Sequence, residues 1–203
     1  MNEVFAIMFP PTMFLWVCFV GQGPLQDILA EKQAHTLSRA LAAPVTPLQF
    51  LFSKFAHCLL LCTAVQAVLV LLTGFLFHVR WGAPILVTAV LVASACSITG
   101  LLGATYSLAK TKEQANALSS GVLILCGLLG GGMVPFESLP PFLQAVGQWS
   151  PNRWAVIALR GVQHARPFSE LVRPVGMLLC IGLIGSAAAL AAFKRRIVAP
   201  RKP

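Results

Sequence analysis

His57, Cys58 and Cys62 are where metal-ligating side chains crowd closest in this 203-residue chain. The two cysteines are four apart and share a helical face, with the imidazole adjacent. A structural zinc site usually needs four converging ligands, and cysteine serves equally as a small apolar core residue. A second chemical candidate is Glu137, a carboxylate among prolines and apolar residues. An acid at the edge of hydrocarbon is expensive and marks function, or it caps a helix N-terminus from the headgroup region. A third is the set Asp27, Glu31, His35 and Arg39, which recurs at i,i+4.

The elements that carry these residues are long and apolar. Val4–Gln26, Phe55–Val79, Trp81–Ala109, Gln114–Phe136 and Pro174–Phe193 contain no Asp, Glu, Lys or Arg. A helix crosses a hydrocarbon core with roughly 20 apolar residues, and a backbone in lipid must satisfy its own hydrogen bonds. The expected fold is an all-α polytopic membrane helical bundle of one domain, residues 1–203. Its five transmembrane helices are expected at about 4–26, 55–79, 82–109, 114–135 and 174–193. Composition agrees, with 57% hydrophobic and 10% charged residues, against about 25% charged in a soluble domain. The first window lacks a basic leader and a cleavage site, so it reads as a retained span.

The net charge of +9 follows the positive-inside pattern. With residues 27–54 cytoplasmic, ten cations lie inside and five outside, four of those in one long loop. The N-terminus is then outside and the C-terminus inside. No clustered basic face with a nucleic-acid motif appears, which argues against nucleic acid as a partner. All six cysteines lie in apolar windows, so no disulfide framework is implied.

Two connections are unusual. Residues 27–43 lack Gly and Pro, and Ala30, Ala34, Leu37 and Leu41 form an apolar stripe opposite the Asp27–Arg39 set. This predicts an amphipathic cytoplasmic helix lying on the membrane. Pro44 stops it. Thr46, Pro47 and Gln49 then restart a helix with a capping box. Taken alone, such a helix is either an anchor or a docking element. The outer connection, 136–173, is too apolar for a solvated loop. Ser138-Leu139-Pro140-Pro141 and Ser150-Pro151-Asn152-Arg153 read as two helix starts, for short helices over 142–148 and 153–162. Trp149 and Trp154 suit an interface. The pattern predicts a re-entrant hairpin in the outer leaflet. Before it, Gly130-Gly131-Gly132 is either a hinge or, through Gly127 and Gly131, a close-packing helix face.

Absent motifs narrow the chemistry. There is no G-x-x-x-x-G-K-[S/T], no H-E-x-x-H and no G-x-S-x-G, so neither a P-loop nor these hydrolytic sites are present. A chain of intramembrane carboxylates for ion-driven transport is also missing. The chain reads as a pathway or scaffold, with no catalytic residues and no metal.

The order of these features resembles the type-2 ATP-binding-cassette exporter permeases. One match is Glu31-Lys32-Gln33-Ala34-His35-Thr36-Leu37-Ser38-Arg39-Ala40-Leu41, followed by Ala43-Pro44-Val45-Thr46-Pro47-Leu48-Gln49 and Lys54, with His35 where the family usually has glycine. The other is Pro135-Phe136-Glu137-Ser138-Leu139-Pro140-Pro141-Phe142, then Ser150-Pro151, Trp154-Ala155 and Ala158-Leu159-Arg160. The resemblance covers nearly the whole chain.

It implies that Glu31, Lys32, His35, Thr36, Leu37, Arg39, Leu41 and Pro44 form a coupling helix that docks on a separate cytoplasmic ATPase. It implies that Gly131, Gly132, Pro135, Glu137, Pro140, Ser150, Pro151, Trp154 and Arg160 shape the outer exit. The expected partners are that ATPase, a second permease copy or sister permease in a dimer, and membrane lipid. ATP and Mg would be bound only through the ATPase, and the location would be the bacterial inner membrane. The family usually has six spans, so the first is expected to lie outside this sequence. The alternative is a truncated or split permease half acting as a non-transporting anchor or inactive paralogue.

Overall fold

A computed structural model describes residues 2–33 and 46–198, with side chains over 9–31, at Thr46 and over 48–194. The described residues form helices and no strand. They are α1 (Asn2–Val20), α2 (Gln22–Gln33), α3 (Pro47–Phe77), α4 (Pro84–Leu108), α5 (Lys112–Leu129), α6 (Pro141–Gly147), α7 (Pro151–Gln163) and α8 (Phe168–Val198), with a 3-10 turn at Phe136–Ser138. Phe9–Glu31, Leu48–Phe77, Pro84–Leu108 and Phe168–Lys194 are each long and apolar enough to cross a membrane. The chain is therefore an all-α, multi-pass integral membrane protein. α5 has 18 residues, about 27 Å of helix. Its polar first turn, Lys112-Glu113-Gln114, keeps it out of that set of four.

The first crossing does not end where the charge pattern suggested. The helix pauses at Gly21, whose N–H still donates to the Val17 carbonyl at 2.9 Å, and resumes at Gln22. The expected surface helix thus starts five residues early, as an extension of the crossing. Leu25, Ile28 and Leu29 are fully buried, and α2 packs on α3, α4 and α5. These apolar residues inside the bundle outweigh the weaker stripe that starts at Ala30, which is only half-buried. Residues 34–43 of the expected coupling helix, with His35, Thr36, Leu37, Arg39 and Leu41, and also Pro44, lie outside the described residues.

α3 begins as expected. Gln49 N–H donates to Thr46 Oγ1 at 3.3 Å, and Thr46 N–H donates to Gln49 Oε1 at 2.9 Å. With Pro47 in the first turn this completes the capping box. The apolar window from residue 55 is the interior of this longer helix. His78, at φ 53°, ends it in the left-handed region. α8 likewise starts before its apolar window, at Phe168 rather than Pro174. Pro174 is accommodated in the second turn, where it removes one helical hydrogen bond.

The tightest packing joins α4 to α8. A Cβ on Gly100 would strike the Gly182 carbonyl, and one on Gly182 would lie 2.6 Å from the Cys96 carbonyl. Only glycine permits this backbone approach, the usual means of close helix contact in membranes. The facing pairs Cys96–Gly182, Gly100–Gly185 and Gly103–Ala189 advance together along the two sequences, so the helices are parallel. The chain between them must return along the bundle, and α5 makes that return. Its start is tied to the foot of α4 by Tyr106 Oη, which donates to Asn116 Oδ1 at 2.8 Å. Its end is tied to α7 by Ser150 Oγ, which donates to the Cys126 carbonyl at 2.8 Å.

Candidate functional site

Two regions bring the chemistry-bearing residues together, one at each end of the bundle. At the α2 end, Lys54 Nζ lies 2.8 Å from Glu31 Oε1 and 3.4 Å from Asp27 Oδ2. Asp27 and Glu31 are one helical turn apart on α2, and Lys54 is two turns into α3. The Lys54 side chain is 17% exposed and that of Glu31 30% exposed, so the pair is half-shielded from water. The lysine also sits over the Phe50 ring. The cluster fastens α2 to the foot of α3. Glu31, one of the residues that the resemblance assigns to docking, bonds to Lys54 and keeps 30% of its side chain exposed. Asp27, whose side chain is 55% exposed, stays open to solvent on the far rim of α2.

Around this latch lies a polar seam that the sequence did not advertise. Gln22 Nε2 donates to Ser120 Oγ at 3.4 Å, joining α2 to α5, and the Tyr106–Asn116 bond joins α4 to α5. Deeper in the bundle Ser94 Oγ donates to Gln66 Oε1 at 2.5 Å, and Gln66 Nε2 donates to the Cys62 carbonyl at 3.2 Å. Gln66 and Ser94 are fully buried. Away from water each polar group must find a partner inside the protein, and these find one another across α3 and α4. A glutamine in an apolar window was the available signal.

The cysteine–histidine cluster separates in three dimensions. His57 is exposed, whereas Cys58 and Cys62 are buried. Their thiols point to α1, toward the Gly21 carbonyl at 3.4 Å and the Val17 carbonyl at 4.0 Å. Among the described residues no group of three metal-ligating side chains converges.

At the other end, Gly130-Gly131-Gly132 forms the cap of α5. Gly132 N–H donates to the Gly127 carbonyl at 2.7 Å, and Gly131 takes φ +84°. This is a Schellman ending with glycine at the left-handed position. The proposed Gly127/Gly131 packing face therefore does not exist as a helix face. Gly131 lies beyond the helix, and Gly127 is already filled by Leu15 of α1, whose Cδ1 would be 2.7 Å from an added Cβ.

Pro135 and Pro140 flank the 3-10 turn, and α6 and α7 follow where the two proline signals placed them. Ser150 departs from its expected role. Its hydroxyl does not cap α7 but bonds back to α5, and Asn152 Nδ2 joins it by donating to the Gly127 carbonyl at 3.4 Å. α7 buries Pro151, Ala155, Ala158, Leu159 and Val162 against α1, α4 and α8. Trp154 Nε1 donates to the Gln148 carbonyl at 2.8 Å, closing the α6–α7 corner.

The Arg153 guanidinium lies 3.3 Å from the Phe136 ring centre. Its burial there favours the neutral form and lowers its pKa, while the negative charge of Glu137 opposes that shift. Glu137 is exposed in the 3-10 turn. It lines one cleft with Gly131, Pro135, Arg153 and Arg160. The outer residues named from the sequence thus gather at one end of the bundle.

The sequence has known counterparts. Residues 1–191 match the family model described as ABC-2 family transporter protein. The chain is 23% identical over 181 residues to the linearmycin resistance permease protein LnrN of Bacillus subtilis (strain 168). That match covers 89% of this chain and 47% of LnrN, so the chain spans about half the length of that relative. With the helical bundle, its apolar crossings and a family match over almost its full length, this chain belongs to the ABC-2 family of transporter membrane proteins.

Proposed function

We propose that the chain is the permease subunit of an ABC exporter, which forms the substrate path and couples it to ATP hydrolysis by a separate cytoplasmic ATPase. The observation that carries the reading is the Asp27–Glu31–Lys54 latch. It joins the segment resembling the family's coupling helix to the foot of α3, so a push on α2 reaches the spans rather than dissipating in a loose surface helix. ATP and Mg belong to the partner ATPase in this scheme.

α5 acts as a further span, the fourth in chain order, which brings the count to five. The parallel α4 and α8, with α5 returning between them, support that count. The cation distribution puts the latch inside and the α6–α7 hairpin outside, where the hairpin closes the exit as a re-entrant element in a bacterial inner membrane. One bundle of five helices encloses no wide path, so two permease copies, or this chain and a sister permease, assemble with two ATPases.

Co-expression with a cytoplasmic ATP-binding-cassette ATPase from the same genome tests the scheme. The complex should co-purify, and reconstituted vesicles should hydrolyse ATP and export substrate. Glu31→Lys should leave membrane insertion intact and uncouple hydrolysis from export. A chain that stays monomeric and ATPase-free, or a Glu31→Lys variant with wild-type coupling, overturns it.

A further inference from the structure

The face of α7 turned away from the bundle carries Arg153, Ile157, Arg160 and His164 at 4-3-4 spacing, opposite the buried Ala155, Ala158, Leu159 and Val162. Three clefts run along it. One of about 370 Å³ is lined by Gln148, Arg153, Trp154, Glu170 and Arg173. One of about 110 Å³ lies between Phe136, Glu137, Arg153 and Arg160. One of about 360 Å³ lies between Ile157, Arg160, His164 and Arg166. Arg153, Ile157 and Arg160 are shared between neighbouring clefts, so the three adjoin as a grooved surface along α7.

Its charge is asymmetric, with Arg153, Arg160, Arg166 and Arg173 against Glu137 and Glu170. Glu170 is engaged by Arg166 at 3.2 Å. The Trp154 N–H is committed to Gln148, which leaves its ring face to Arg173, 5.7 Å away. The elements that frame the groove carry apolar side chains that face outward, Phe142 on α6, Trp149 at the α6–α7 corner and Phe168 at the start of α8, at 75%, 77% and 64% exposure. Exposed tryptophan and phenylalanine beside arginines are the composition of a headgroup-level belt. Guanidinium forks match phosphate oxygens.

We propose that this groove binds the headgroup of a net-anionic phospholipid, with phosphate oxygens on Arg153 and Arg173 and acyl chains over the Phe142–Trp149 rim. The excess positive charge selects a net-negative headgroup over a zwitterionic one, and the apolar rim selects a lipid over a soluble anion. The leaflet assigned to this lipid, the outer one, rests on the topology in the proposed function. The binding itself does not.

Native mass spectrometry of the delipidated full chain tests the site, with phosphatidylglycerol and phosphatidylcholine titrated separately. Phosphatidylglycerol should bind more tightly. Arg153→Gln/Arg173→Gln should weaken it at least about fivefold, the loss of one or two charge contacts, and weaken phosphatidylcholine less, so that the preference for phosphatidylglycerol narrows. Because Arg153 stacks on Phe136, Arg173→Glu alone, at an exposed position, is the second variant and should show a loss in the same direction. Lys194→Gln, at the far end of α8, should match wild type.

Equal binding of both lipids, wild-type binding by Arg173→Glu, or displacement of phosphatidylglycerol by millimolar inorganic phosphate would overturn the proposal. Labelling of Ser169→Cys, an exposed position that lines none of the three clefts, from the cytoplasmic side, with lipid selectivity retained, would overturn only the leaflet and the topology behind it.

Discussion

Lys54 Nζ and Glu31 Oε1 meet at 2.8 Å across the α2–α3 junction, 23 residues apart in sequence. A fully exposed ion pair contributes about 0.2–1 kcal/mol, and this one, half-shielded and supported by Asp27, should reach the upper end of that range. Lys54→Gln and Glu31→Gln, with the double variant, form a thermodynamic cycle readable from thermal unfolding in detergent. A coupling near 1 kcal/mol is expected. Additive effects of the two single changes would mean that the pair does not hold α2. The charge-swapped Glu31→Lys/Lys54→Glu protein should recover much of the stability lost in Glu31→Lys, since the swap replaces repulsion with attraction.

The α4–α8 contact leaves no room for a side chain. Gly100→Val and Gly182→Val should each abolish the monodisperse folded protein, a loss of several kcal/mol from overpacking backbone against backbone. Gly176, also on α8, has no atom within 4 Å of a built Cβ, and Gly176→Val should stay monodisperse. Fluorescence-detected size exclusion separates the outcomes, and a folded Gly182→Val protein would contradict the close α4–α8 approach.

Two glycines in or beside α5 should respond to alanine with opposite signs. Gly131 sits at φ +84°, so Gly131→Ala should destabilise by about 1 kcal/mol. Gly121 lies mid-helix with open space around it, so Gly121→Ala should stabilise by about 0.5–1 kcal/mol. Paired melting curves check both. Equal responses would mean that Gly131 does not adopt the left-handed cap.

Ser94→Ala should destabilise by about 1–2 kcal/mol, because it leaves Gln66 Oε1 buried without its donor. Adding Gln66→Leu should restore part of that loss by removing the stranded amide. The comparison is one of melting temperatures, and a neutral Ser94→Ala would mean that water or another group serves Gln66.

Sidedness is checked by maleimide labelling in a background lacking the natural cysteines. Arg166→Cys should label from outside intact cells and Arg196→Cys only after permeabilisation. The reverse pattern would exchange the latch and hairpin ends and remove the latch from the ATPase side.

Much of this protein was legible in the residues alone, because a membrane imposes a one-dimensional constraint. Charge-free runs must be helices, cations collect on one side, and Thr46-Pro47 and Ser150-Pro151 mark helix starts through purely local chemistry. The ABC-2 family was legible too, through the order of its coupling-like and outer segments. Only the tertiary structure decided which helix faces meet. Helix α2 starts at Gln22 because Leu25, Ile28 and Leu29 gain more from burial in the bundle than the Ala30 stripe gains at a surface. Gly127 packs against Leu15, while the close-packing glycines are Gly100 and Gly182, 82 positions apart. Lys54 finds Glu31, and Gln66 finds Ser94. Such pairings depend on rotation about each helix axis, which length and hydropathy leave free and which the fit of side chains in the bundle sets.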